Sequence, residues 1–93
     1  MVIGVVEVDL QVSGSTSLKM KRAVIKSLKD HIHNKFNVSI AEVSQMSSVR
    51  TCTLGIVQVS NDKKFTNRVL SDVVNYIEGV RSVELTDYRL MFL

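Results

Sequence analysis

The chain has 93 residues, 45% hydrophobic and 23% charged, with four Gly, no Pro, one Cys and a formal net charge of +3, the balance of one domain spanning residues 1–93 rather than two. Its longest apolar run, Met1 to Val6, falls far short of the roughly 20 residues a membrane-spanning helix needs, and no basic region of the signal-peptide kind precedes it. A lone Cys52 makes neither a disulfide nor a thiolate metal site within one chain, and together these features predict a cytoplasmic protein.

Val6 to Val12 alternates strictly, with Val6, Val8, Leu10 and Val12 on one face and Glu7, Asp9 and Gln11 on the other, which predicts a strand with one wet face. Ser13 to Ser17 is small and polar and offers helix-capping side chains. From Leu18 to Phe36, Leu18, Ile25, Leu28, Ile32 and Phe36 form one apolar stripe at helical spacing, so a long helix follows. Phe36 to Met46 and Val49 to Val59 are rich in β-branched residues without a helical stripe and read as two strands joined by a polar hairpin link, Gln45 to Ser48. Ser60, Asn61 and Asp62 then precede Phe65, Val69, Val73 and Ile77, with Gly79 placed to end a second helix. Ser82 to Leu93 alternates at first and ends in the run Leu90 to Leu93, a last strand.

The order strand, helix, strand, strand, helix, strand predicts an α+β fold, the ferredoxin-like α/β sandwich, in which a four-stranded antiparallel sheet carries both helices on one face. The other face is left open, yet Val57 and Val59 fall opposite Cys52, Leu54 and Ile56 on the third strand. A chain this small buries only about 60 to 65% of the surface its unfolded form exposes. A homodimer through the open face or through the apolar edge strand is therefore one expectation, and a few scattered exposed aliphatic residues the other.

Charge is concentrated. Ser17 to Phe36 holds Lys19, Lys21, Arg22, Lys26, Lys29 and Lys35 against Asp30 alone, a net of +5 that leaves −2 for the rest of the chain. Lys19, Lys21 and Arg22 fall in the first turns of the helix, where the macrodipole already disfavours cations. Cations beside unpaired helical N–H groups form an anion site, so Lys19, Lys21, Arg22, Lys26 and Lys29 are the candidate contacts for RNA phosphate or, as an alternative, for a phosphorylated or other anionic metabolite. An ordinary solvated lysine face is the plainer account, since Lys63 and Lys64 open the second helix in the same way.

Base stacking on the sheet is disfavoured, because the third strand holds no aromatic ring and Glu7, Asp9 and, in one register, Glu42 and Glu84 would repel phosphate from the open face. His31 and His33 are two apart, a spacing that does not chelate from a helix, and Cys52 reads as a small buried residue. No nucleophile elbow, Gly-rich phosphate loop or Cys-x-x-Cys occurs. These patterns point to a non-enzymatic protein without metal or cofactor.

Three stretches together, Ser17-Leu18-Lys19-Met20-Lys21-Arg22, Phe36-Asn37-Val38-Ser39-Ile40-Ala41-Glu42-Val43 and Val59-Ser60-Asn61-Asp62, resemble the bacterial YlxP-like family, domain of unknown function 503, over nearly the whole chain. The resemblance implies a small ferredoxin-like protein whose gene stands among transcription and translation genes, commonly near translation initiation factor two and ribosome-binding factor A. It thus implies RNA or a ribosomal subunit as partner. It brings over Ser17, Leu18, Lys19, Lys21 and Arg22 at the helix start and Asn61 and Asp62 at the second turn; Met20 departs from the polar residue usual there. Ser17 and Asp62 are expected as caps and Leu18 in the core.

Overall fold

The first strand extends back from Val6 to Val2, because it is paired on both sides along most of its length. In a computed structural model that describes residues 1–93 the elements are β1 (Val2–Val12), α1 (Leu18–Lys35), β2 (Ser39–Ser44), β3 (Thr51–Ser60), α2 (Lys63–Glu78) and β4 (Val83–Phe92). The sheet order is β2-β3-β1-β4 with every neighbouring pair antiparallel, the ferredoxin-like sandwich the element order implied. The register sets Val6, Val8 and Leu10 beside Ile56, Leu54 and Cys52. These residues and Val12 face Ile25, Leu28 and Ile32 of α1 and Leu70, Val73, Val74 and Ile77 of α2 in one buried core. Between the helices Phe36, the C-cap of α1, packs edge-on against Tyr76 of α2, ring centres 6.0 Å apart.

Both helices begin on the expected caps. Ser17 Oγ accepts the Met20 N–H at 3.1 Å, and Asp62 Oδ1 accepts those of Lys64 at 2.9 Å and Phe65 at 3.4 Å, satisfying donors that the first helical turn leaves free. Asn61 beside it is exposed. Gly79 ends α2 in the right-handed region, φ −86°, its N–H given to the Tyr76 carbonyl.

The bounds of the second and third strands differ from the sequence reading, β2 beginning at Ser39 rather than Phe36. β2 and β3 are shorter at their shared end because the connection runs from Gln45 to Arg50, not to Ser48. Gln45 turns the chain at φ +65°, and Arg50 is occupied with the β1–α1 loop: its carbonyl accepts from Val12 N at 2.7 Å and its Nε donates to Ser15 O at 3.2 Å. Two helix positions differ as well. Leu18 is only half-buried, and Phe65 is exposed while Thr66 is buried. The inward line of α2 is Thr66, Leu70, Val73 and Ile77, one residue on from the expected start. Thr66 fits there because Gly4 on β1 has no side chain: a Cβ at Gly4 would overlap the Thr66 methyl and sit 2.9 Å from Leu70 Cδ1.

The basic face of the first helix

At 3.6 residues per turn, Lys19, Arg22, Lys26 and Lys29 fall at alternating steps of three and four and so make one line about 15 Å long. Lys19, Arg22 and Lys26 are exposed and Lys29 is half-exposed. Arg22, Lys26 and Lys29 edge a cleft of about 450 Å³ between α1 and β2, with Ile25, Asp30 and Glu42 as its other walls. Lys26 Nζ meets Asp30 Oδ2 at 2.9 Å one turn along, and this contact holds the Asp30 carboxyl below its usual range. Both partners are well exposed, so the pair leaves Lys26 free to exchange it for another anion.

Lys21 is not part of that face. Its side chain is 0% exposed, with Nζ 3.0 Å from Glu42 Oε2 and 2.7 Å from the Gln45 carbonyl oxygen it donates to. The contact to Glu42 is an ion pair rather than a directed hydrogen bond; the directed bond goes to Gln45. A charge so enclosed cannot reach a phosphate, which removes Lys21 from the candidate contacts. The signal lay in the spacing, since position 21 completes the inward series Leu18, Lys21, Ile25, Leu28, Ile32, and Glu42 alternates with Ile40 toward the same side. Glu42 thereby faces the helices and not the open sheet, contrary to the register that would have put it outside.

The open face is acidic at one end and apolar at the other. Arg89 stands among carboxylates, Nε to Glu7 Oε1 at 3.3 Å, Nη1 to Asp9 Oδ2 at 3.1 Å and to Asp87 Oδ2 at 3.6 Å. Asp9, which also accepts from Thr53 Oγ1 at 2.9 Å, is held below the usual carboxylate range by the Arg89 bonds first and the Thr53 bond second. Glu84 lies on the same face beside Gln11. Toward the other end stand Val5, Val57, Val59 and Met91. Helix and sheet thus present opposite signs, with no aromatic side chain on the outer side of β1 or β3.

No further chemistry assembles around the remaining titratable groups. Cys52 is enclosed on β3, where burial and then the neighbouring Glu42 charge push its thiol up to about 12. No three His, Cys, Asp or Glu side chains stand together as a metal site, and no helix is long and apolar enough to cross a membrane. Gln58, which no sequence signal had marked, faces inward on β3, 4% exposed, and its Oε1 has no hydrogen-bond partner.

Residues 3–90 match the family model described as "Protein of unknown function (DUF503)". The chain is also 34% identical over 87 residues to the uncharacterized protein YlxP of Bacillus subtilis (strain 168), covering 94% of this chain and 95% of that one.

Proposed function

The chain belongs to the DUF503 family, and we propose that it is a non-enzymatic cytoplasmic RNA-binding protein that docks on structured RNA or a ribosomal subunit through α1. One observation carries this reading: Lys19, Arg22, Lys26 and Lys29 stand in a single accessible line, and the one cation of that segment with a structural task, Lys21, is withdrawn from it. The line follows a phosphate backbone, and the acidic sheet end on the opposite side orients the protein by repulsion. Binding of this kind reads shape and charge rather than sequence. With about four phosphates neutralised, the logarithm of affinity falls against the logarithm of salt with a slope of about −3 to −4, a loss of roughly 100-fold between 50 and 200 mM.

Self-association belongs to the same proposal. Val5, Val57, Val59 and Met91 are the surface a second copy would cover, which leaves α1 of each copy facing outward. The reading as a receptor for a small anionic metabolite at the start of α1 has less support, because Ser17 Oγ already takes the Met20 N–H and Lys21 is turned inward.

Co-sedimentation with ribosomal subunits and fluorescence anisotropy with a structured RNA test the proposal, using the triple variant Lys19→Ala, Arg22→Ala, Lys26→Ala. The variant keeps its circular dichroism melt and loses at least tenfold in affinity. Equal affinity of variant and native protein, or no binding of either at 50 mM salt, overturns the assignment. Analytical ultracentrifugation of the native protein beside Val59→Lys reads the dimer.

A further inference from the structure

We infer that the free edge of β4 pairs antiparallel with the same edge of a second copy, with Leu90 on the two-fold axis, so that two four-stranded sheets continue into one. This contact is separate from the open-face one and does not depend on RNA binding.

The two edges of the sheet are built differently. β2 is six residues long, carries small side chains at Ser39, Ala41 and Ser44, and breaks register between Glu42 and Ser44; short, bulged edges of this kind resist pairing. β4 is ten residues long, and from Asp87 to Phe92 it runs against β1 in one unbroken register, continued to Leu93 by a bond from its N–H to the Ile3 carbonyl at 2.9 Å. That bond fixes which backbone groups are spent. Hydrogen-bonded and non-hydrogen-bonded pairs alternate along an antiparallel ladder, so Leu93, Met91, Arg89 and Asp87 turn their N–H and C=O groups to β1, while Tyr88, Leu90 and Phe92 turn theirs away from the sheet. The Tyr88 N–H agrees with this parity, since it donates to Asp87 Oδ1 at 2.8 Å and not to β1.

A row of outward donors and acceptors takes an extended strand, and the side chains say which one. Tyr88, Leu90 and Phe92 share the helix side of β4, where Tyr88 is 48% exposed and the other two are half-buried. The regular stretch from Asp87 to Leu93 is centred on Leu90, so a second copy laid antiparallel about that point pairs the whole stretch. Tyr88 then stands opposite Phe92 of the partner subunit on each side of a Leu90 to Leu90 pair, cross-strand contacts of a stabilising kind. Arg89 falls opposite Met91 of the partner subunit, and no like charges meet. An axis at Arg89 would instead oppose two guanidinium groups, and an axis at Tyr88 would draw in Thr86, where the register with β1 slips. Pairing transfers the Tyr88 N–H from Asp87 to a carbonyl of the second copy, so Asp87 competes with that copy. The axis stands perpendicular to the sheet, which keeps both helix layers on one side and leaves α1, packed toward β2, unobstructed.

Analytical ultracentrifugation of Val59→Lys, in which the open-face contact is removed, reads the edge contact alone. This variant sediments as a dimer at micromolar concentration. Adding Tyr88→Pro deletes an outward N–H while keeping every bond to β1, and weakens the dimer about tenfold or more; adding Asp87→Ala removes the competing acceptor and tightens it. Oxidative cross-linking reports the register, because Leu90→Cys links two copies, whereas Tyr88→Cys, about 13 Å from its counterpart along the strand, does not. If Tyr88→Pro fails to fold, Asp87→Ala and the cross-links carry the same comparison. A monomeric Val59→Lys overturns the edge contact, and a native protein that is then a dimer keeps the open-face one. A dimer indifferent to Tyr88→Pro and Asp87→Ala, or one linked through Tyr88→Cys, overturns the edge contact as well. If native protein and Val59→Lys are both dimers that Tyr88→Pro weakens, the edge contact stands and the open-face contact falls.

Discussion

The Lys21 ammonium lies 3.0 Å from the Glu42 carboxylate, and it is the one charge that α1 turns inward among Ile25, Leu28 and Ile32. Its hydrogen bond to the Gln45 carbonyl fastens the start of α1 to the turn between β2 and β3 at the residue with φ +65°. That bond holds a backbone conformation a non-glycine residue rarely adopts. The Arg50 to Ser15 contact ties the neighbouring loop to the same turn. The start of α1, where the basic line begins, is thus tied to the β2–β3 turn by a buried lysine.

Removing one member of this pair strands the other. Lys21→Ala and Glu42→Ala are each expected to lose about 3 to 5 kcal/mol of stability in urea unfolding, whereas the double change Lys21→Met with Glu42→Leu stays near native stability or rises by about 1 to 4 kcal/mol, because burying two charges is itself costly. Loss of both singles without recovery in the double would show that the Gln45 bond, not the ion pair, carries the stability.

Acid dependence follows from Asp9. Its pKa in the folded chain is below the ordinary value of 3.8, chiefly through Arg89 and then Thr53, so the proton binds more readily to the unfolded chain. The stabilisation is complete above about pH 4 and disappears as the pH falls through the lowered folded value. Asp9→Asn is expected to be less stable than native at pH 7, the difference closing as the pH falls through the lowered folded value. With both Asp9 and Arg89 more than a third exposed, the difference at pH 7 stays under about 1 kcal/mol. Thermal melts across this pH range read it.

The close seat of α2 on β1 depends on Gly4. Gly4→Ala places a methyl against Thr66 and Leu70 and is expected to cost about 1 to 3 kcal/mol, the usual range for overfilling a packed interior. Adding Thr66→Ser removes the opposing methyl while keeping the hydroxyl that pairs with Ser60, and should recover part of the loss. A double-mutant cycle with no coupling would place the cost elsewhere.

Cys52 should be silent in the folded protein. A thiol raised to about 12 inside the core offers almost no thiolate at pH 8. Labelling by a disulfide reagent is then limited by opening of the fold, and its rate should rise in step with the unfolded fraction as urea is added. Fast labelling without denaturant would mean that β3 opens locally.

Much of the fold was legible because each element states its own period. The alternation of β1, the stripe of α1 and the caps Ser17 and Asp62 are local properties, and local chemistry decides them. Thr66 taking the place expected of Phe65 was not legible, since it depends on the missing side chain of Gly4 some sixty residues earlier in the chain. Lys21 counted among the basic contacts because its charge was read ahead of its spacing, which places it on the inward series of α1; the partner that makes a buried charge tolerable there, Glu42, lies on a separate strand.

By itself the sequence determined a ferredoxin-like element order and a first helix carrying half of the chain's twelve Lys and Arg residues, because periodicity and charge are written residue by residue. Tertiary structure alone decided which partners those charges meet. It closed Glu42 over Lys21, gathered Glu7, Asp9 and Asp87 around Arg89, and left Gln58 beside a gap where β2 stops short. Each of these depends on strand register between distant segments, and register is set by the packing of the whole sheet.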